Sequence, residues 1–265
     1  VVECDDWIEL NKDSPFKVEH KRYDAYRTIT RTMEVADMVT TTTKYLANKL
    51  KKYNNNVVVL PNYIDIDEWN LPLIYNDTGT IRIGWVGSIT HVDDVKMIVE
   101  PIKSICKEFK NVQLVTMGDP RVGALFKGLP VESQNGVPYD AYPAKLRSLR
   151  LDIGLAPLQD NVFNRCKSNI KWLEYSLVGV PGVYSPIVYT DEVNHSVHFD
   201  GIYGQVAENE EQWYRCIKNY IICENLRKDI ASRARGCVIS GYTLKTNIKR
   251  WVKAYKSLTK IKKEV

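Results

Sequence analysis

No run of about 18 apolar residues occurs in this 265-residue chain, and no basic leader followed by an apolar core opens it. Neither a membrane-crossing helix nor a secretory signal is therefore expected. Cysteine is present without any Cys-x-x-Cys pair: Cys4, Cys106, Cys166, Cys216, Cys223 and Cys237 are scattered. That pattern argues against a disulfide framework and suits a reducing compartment, so a cytoplasmic protein is expected. Histidine is scarce. His195 and His198 lie three apart, but no cysteine or further histidine completes a zinc pattern, and no metal is expected. The turn "GWVGS" lacks the Gly-x-Gly-x-x-Gly fingerprint of a dinucleotide-dependent oxidoreductase. The chain opens on Val1 rather than Met and is read as a fragment.

What is present is an ordinary globular composition, 44% hydrophobic and 26% charged, in a chain long enough for one large domain or two modest ones. Strand and helix patterns alternate. "VVECDDW" reads as a short strand ending in two acids, residues 15–35 as one long polar helix, and "ADMVTTT" as a β-branched strand. "TKYLANKLKKY" then reads as an amphipathic helix and "NNNVVVLPNYID" as a turn into a buried strand. Residues 67–80 carry Pro, Asn, Asp and Gly with little periodicity and form the best linker. Beyond them "TIRIGWVGS", "VQLVTMGD", "LDIGLAPL" and "VPGVYS" read as buried strands and "YGQVAE" as an edge strand. Helices fill the intervals, one of them, "DDVKMIVEPIKSICKEF", interrupted by Pro101. Alternation of this kind implies α/β architecture with parallel sheets covered on both faces. Two Rossmann-like units are expected: residues 1–78, with too few strands for a sheet of its own, and residues 79–242.

The net charge of +5 is unevenly placed, because residues 245–265 carry eight Lys or Arg against one Glu. Leu244, Ile248, Trp251, Tyr255 and Leu258 recur at four and three, giving residues 243–265 one apolar stripe with basic flanks. Packing of that helix on its own protein is favoured. Attraction to anionic lipid is the alternative, and a nucleic-acid partner is not expected.

The chemistry concentrates in "FNRCKSNIKWLEY", residues 163–175. In open α/β sheets ligands bind where a strand's carboxyl end meets the amino end of the next helix. Ser168 is placed to cap such a helix, and Arg165 and Lys167 add charge to its free N–H groups, which together would suit a phosphate. A solvated basic loop is the competing reading of the two cations. Glu174 lies roughly 7 to 9 Å along the helix from its start, near the span from a nucleotide's phosphates to its ribose. A vicinal diol would satisfy that acid, which is then expected to reach solvent in the empty protein. From spacing alone, pairing with a lysine such as Lys167 or Lys171, or plain exposure to solvent, is the favoured outcome.

In order and spacing these motifs resemble the retaining glycosyltransferases of family 4, which have the two-domain GT-B fold. The matching residues are "IGWVGS", Gly118-Asp119, "LDIGLAPL", Glu174 and Gly179-Val180-Pro181, with "ADMVTTTTKYLANKL" and "VVVLPNYID" upstream. The resemblance covers nearly the whole chain. It implies that the first three strands of the N-terminal domain precede Val1, and that the terminal helix packs back toward that domain. Glu174 corresponds to the second acid of the family's Glu-seven-residues-Glu motif, which binds the donor ribose, and the first acid falls at Cys166. The family's diphosphate-binding Arg and Lys fall near Ser88 and Asp93, with Arg165 and Lys167 supplying charge instead. The implied donor site comprises Glu174, Arg165, Lys167, Ser168, Asn164 and Lys171, with Gly87 and Ser88 of the glycine turn. Asp5 and Asp6 stand where many members carry a catalytic-side His-Asp pair; a strand-end cap is the alternative. The implied activity is metal-independent transfer of a sugar from a nucleotide diphosphate sugar, with retention, to an unknown glycan, lipid or other acceptor. No cofactor is implied. A non-catalytic nucleotide-sugar-binding module that kept the fold is the competing function.

Overall fold

The computed structural model describes residues 1–9, 16–69, 71–189 and 200–261. Their strands form two all-parallel sheets. Against the expectation of too few strands, residues 1–78 form a sheet of their own, the smaller of the two, with the order β1-β2-β3, from Val2–Glu3, Val39–Thr41 and Val57–Val59. Its central strand is β-branched throughout and fully buried, the environment in which such side chains pack best. Between β2 and β3 the helix Lys44–Leu50 is capped by Thr43, whose Oγ1 accepts the Leu46 N–H at 3.2 Å. The single helix expected over residues 15–35 is two, Lys17–Arg22 and Ala25–Val35. Asp24 breaks it with a left-handed backbone, φ 44°, which an Asp tolerates better than most residues. Pro15 lies outside the described residues.

The larger sheet has six strands: β4 Ile81–Gly87, β5 Val112–Gly118, β6 Val131–Asn135, β7 Ile153–Ala156, β8 Gly182–Tyr184 and β9 Gln205–Val206. Their order is β6-β5-β4-β7-β8-β9, which reverses direction between β4 and β7. Alternate residues along each strand enter opposite cores. Trp85, Leu114, Leu155 and Val183 pack under the helices Val99–Glu108 and Glu210–Ile222. Val86, Val115, Ala156 and Tyr184 pack under Ile170–Leu177 and Glu224–Gly241. Pro101 sits in the first turn of Val99–Glu108, and the interruption falls just before it, at Met97 and Ile98. Strand β6 was not expected. "VESQN" carries one apolar residue and lies half exposed at the sheet edge, so it lacks the apolar run that marks the inner strands.

The basic terminal segment forms the helices Leu244–Asn247 and Lys249–Ile261. Trp251, Ala254 and Leu258 pack on Met38, Val58 and Leu60 of the smaller sheet. Ile248 and Tyr255, expected on the inner face, are 49% and 44% exposed, because the inward stripe runs through Trp251, Ala254 and Leu258 and both residues lie to one side of it. Among the described residues no helix is long and apolar enough to cross a membrane. All six cysteines are free. Within the same residues no cluster of three or more His, Cys, Asp or Glu could hold a metal; His195 and His198 lie outside them.

Candidate functional site

The two sheets meet through the loops at their carboxyl ends. Each strand of the smaller sheet is followed by one polar group that reaches the short segment between β7 and β8. After β1, Asp6 accepts two bonds from Lys167 Nζ, at 2.9 and 3.1 Å. After β2, Thr43 Oγ1 donates to the Cys166 carbonyl at 3.3 Å. After β3, Asn62 Nδ2 donates to Ser168 Oγ at 2.8 Å. Residues 166–168 thus carry contacts from all three strands of the smaller sheet, in the connection after β7, beside the point where strand order reverses and ligands bind in open α/β sheets.

The local build of that segment differs from its sequence reading. "NVFNRC" is not a loop: Val162–Arg165 forms one helical turn, with Asn161 Oδ1 accepting the Asn164 N–H at 2.9 Å. The following helix begins at Ile170, so Asn169 rather than Ser168 occupies its N-cap, and no side chain caps it. Both cations already have counter-ions. Arg165 grips Asp160 through Nε and Nη2, at 2.5 and 2.7 Å, and hydrogen bonding from Arg165 holds the Asp160 carboxyl below its ordinary range. Lys167 pairs with Asp6 and lies 4.4 Å from the centre of the Phe163 ring. The Arg165 pair is open to solvent and Asp6 is half exposed, so neither pair binds its cation strongly against an incoming anion.

Glu174 is 7% exposed, against the expectation that it would reach solvent. Its partner in the empty protein is the one that spacing left open. Lys171 Nζ and Tyr142 OH both donate to Oε2 at 2.8 Å, and Lys171 also donates to Tyr142 OH at 3.0 Å. Burial, and then the negative charge of Glu174, push the Tyr142 phenol well above its ordinary range, so it stays protonated and can donate. Oε1 makes no hydrogen bond among the described residues.

The other expected residues separate into buried and open ones. Asn164 is buried, and its amide donates to Asp94 Oδ1 at 2.7 Å and to the Gln159 carbonyl at 3.0 Å. Gly87 and Ser88 close β4 with Ser88 exposed, its Oγ 2.7 Å from Thr90 Oγ1. Gly118, beside Gly87 in register, has φ 125°, and a Cβ there would strike the Gly87 carbonyl. Asp5 is exposed, and its carbonyl accepts from Thr42 Oγ1 at 3.5 Å. Cys166, at the position the resemblance gives to an acid near the transferred sugar, is wholly buried among Cys4, Leu46 and Phe163. Burial pushes its thiol up to about 12, so it stays a neutral packing group at physiological pH.

Sequence reasoning missed four residues of this region. Asn62 lay inside the quoted "LPNYID" without being singled out. Tyr142 carried no signal of its own. His91 and Asp94, three apart on one turn, were a readable local pair: His91 Nδ1 lies 2.8 Å from Asp94 Oδ2.

No family model matches the chain, and no curated protein matches it. Solved structures do. HepE from Anabaena, solved with UDP and glucose, superposes with a TM-score of 0.68 at 13% identity, over 97% of this chain and 71% of HepE. TarM from S. aureus, solved with UDP among its ligands, gives 0.67 at 11% identity, over 88% of this chain. WaaG, a glycosyltransferase involved in lipopolysaccharide biosynthesis, gives 0.63 at 18%, over 87% of this chain and 69% of WaaG. The chain spans 46% of the length of TarM, less than half. At these identities the likeness establishes the fold alone: two parallel-sheet units in the GT-B arrangement that these structures share.

Proposed function

We propose that this GT-B chain binds a nucleoside diphosphate sugar at the carboxyl edge of β4 and β7, and transfers the sugar with retention to an acceptor hydroxyl. The observation that carries the reading is the Glu174 corner. Lys171 and Tyr142 fix the acid through Oε2 alone, which orients Oε1 as an unused acceptor for a ribose hydroxyl. Arg165 and Lys167, each held by an acid that phosphate can replace, would neutralise the diphosphate, with Ser168 beside them. Charge then grows on the departing diphosphate where cations already stand, so the reaction calls for no metal. Asp5 and Asp6 lie on the acceptor side, where Asp6, once Lys167 turns to phosphate, becomes free to face the incoming hydroxyl. UDP and UDP-glucose are the first donors to try, because UDP accompanies HepE and TarM in their structures. A reducing compartment such as the cytoplasm suits six free cysteines.

Calorimetry with UDP, with and without chelator, tests this directly. Equal affinity in both supports it; loss in chelator restored by magnesium or manganese overturns the metal-free site. The second reading, a binding module without turnover, draws on buried Cys166, which offers no carboxylate to the sugar. Slow donor hydrolysis by the chain decides against that reading.

The outer face of the terminal helix supports a peripheral contact with anionic lipid. Ile248, Val252 and Tyr255 are exposed at spacings of four and three, flanked by exposed Lys249, Lys253 and Lys256. Binding to phosphatidylserine vesicles, lost on Val252→Glu, would support it. Equal retention of that variant would remove it.

A further inference from the structure

The strand-order reversal leaves two loops flanking the crevice, one after β4 and one after β7, and a single buried carboxylate ties them together. Asp94 is 4% exposed. Its Oδ1 accepts the Gln159 N–H at 2.8 Å and the Asn164 amide at 2.7 Å, both from the β7 side. Its Oδ2 takes His91 Nδ1 at 2.8 Å from the β4 side. A carboxylate only accepts, so Nδ1 carries a proton. The two ring nitrogens point apart, and pinning Nδ1 on a buried group turns Nε2 away from it. The His91 side chain is 20% exposed, and Nε2 makes no hydrogen bond among the described residues.

The charge inventory of the β4 loop gives that nitrogen a use. Residues 87–94 read "GSITHVDD", so His91 is the one side chain there able to carry positive charge. The cations that the resemblance implies fall near Ser88 and Asp93, and Asp93 is itself paired with Lys96 at 2.6 Å. On the β7 side, Arg165 and Lys167 directly follow the Asn164 that Asp94 holds, and each is paired with an exposed or half-exposed acid. A diphosphate held only from that side would leave its β4 side without a donor.

We infer that His91, locked by Asp94, is the donor-diphosphate contact of the β4 loop, its Nε2–H donating to a phosphate oxygen opposite Arg165 and Lys167. The inference rests on the nucleotide-sugar reading and adds to it the residue that replaces the missing cations. For this contact both ring nitrogens carry a proton, Nδ1–H on Asp94 and Nε2–H on the phosphate, so the ring binds as the imidazolium and a neutral ring takes up one proton from solvent on binding. Asp94 and Asn164 are positioning residues: they set the ring and do not touch the ligand.

Calorimetric titration of UDP and of uridine into the chain and its His91→Asn variant tests this. Asparagine keeps a donor near the Nδ1 position for Asp94 and removes the outward nitrogen. UDP should weaken about tenfold or more while uridine is unchanged, as expected for loss of one charge-assisted hydrogen bond. Equal losses for both ligands, or none, overturn the role of His91 while leaving the donor reading intact. Failure of the unaltered chain to bind UDP overturns both. Should His91→Asn fold poorly, imidazole 15N spectra of the unaltered chain decide: the His91 Nε2 resonance should move with UDP and not with uridine. A resonance unmoved by UDP overturns the inference.

Discussion

Asp94 and Glu174 are both nearly buried carboxylates at the carboxyl edge of the same sheet, and their surroundings treat them in opposite ways. Asp94 accepts three bonds spread over both oxygens, from Asn164, Gln159 and His91. Glu174 accepts two, both on Oε2, from Lys171 and Tyr142. The first carboxylate is a completed joint between two loops. The second is held firmly by one oxygen while the other stays unused. Burial, 4% against 7%, does not distinguish them; the distribution of donors over the oxygens does.

The largest expected effect is on the joint. Asp94→Ala leaves a backbone N–H, an amide and an imidazole without their acceptor, and should cost about 3 kcal/mol or more in urea unfolding. A loss below about 1 kcal/mol would break the comparison by showing that water replaces Asp94 readily. Next comes Glu174→Gln, which should weaken UDP by about 1.5 to 3 kcal/mol and 2′-deoxy-UDP by less, while the melting temperature of the empty chain moves little. A large drop in melting temperature with equal penalties for both nucleotides would place Glu174 beside Asp94 as a structural acid. Tyr142→Phe removes one of two donors from Oε2 and should cost about 1 kcal/mol of stability with a small effect on UDP. The smallest effect sharpens the contrast with exposed pairs. Arg165→Ala should leave the melting temperature unchanged, since its partner Asp160 rehydrates, yet weaken UDP more than uridine. Equal effects on both ligands would show that Arg165 does not meet phosphate.

Much of the fold was readable along the chain, for local reasons. The inner strands β4, β5 and β7 are near-continuous apolar runs, because helices cover both faces, and they are found where "TIRIGWVGS", "VQLVTMGD" and "LDIGLAPL" placed them. The edge strand β6 escaped notice because half of it faces solvent and its side chains need not be apolar. The terminal helix was placed, but its phase was not. Tyr255 follows the inward Ala254 by one residue, a rotation of about 100° around the helix, so burying the small Ala254 leaves Tyr255 on the outer side. In the site, Lys171 and Glu174 are three apart on one helix, so their pairing was foreseeable as one of two outcomes.

The sequence by itself determined most of the elements, the parallel α/β class and the glycine turn at the end of β4, together with the acid and the cations of "FNRCKSNIKWLEY". Periodicity, turn chemistry and helix spacing act between residues a few positions apart, and they are written into the chain directly. Only the tertiary structure decided which polar groups meet. Tyr142 reaches Glu174 across 32 residues, Asn164 reaches Asp94 across 70, and Lys167 reaches Asp6 across 161. It also decided that Cys166 is sealed between the two sheets while Lys167, its neighbour, stays partly open. Those pairings follow from how two sheets pack at their carboxyl ends, where burial removes water as a partner and obliges each polar side chain to find another.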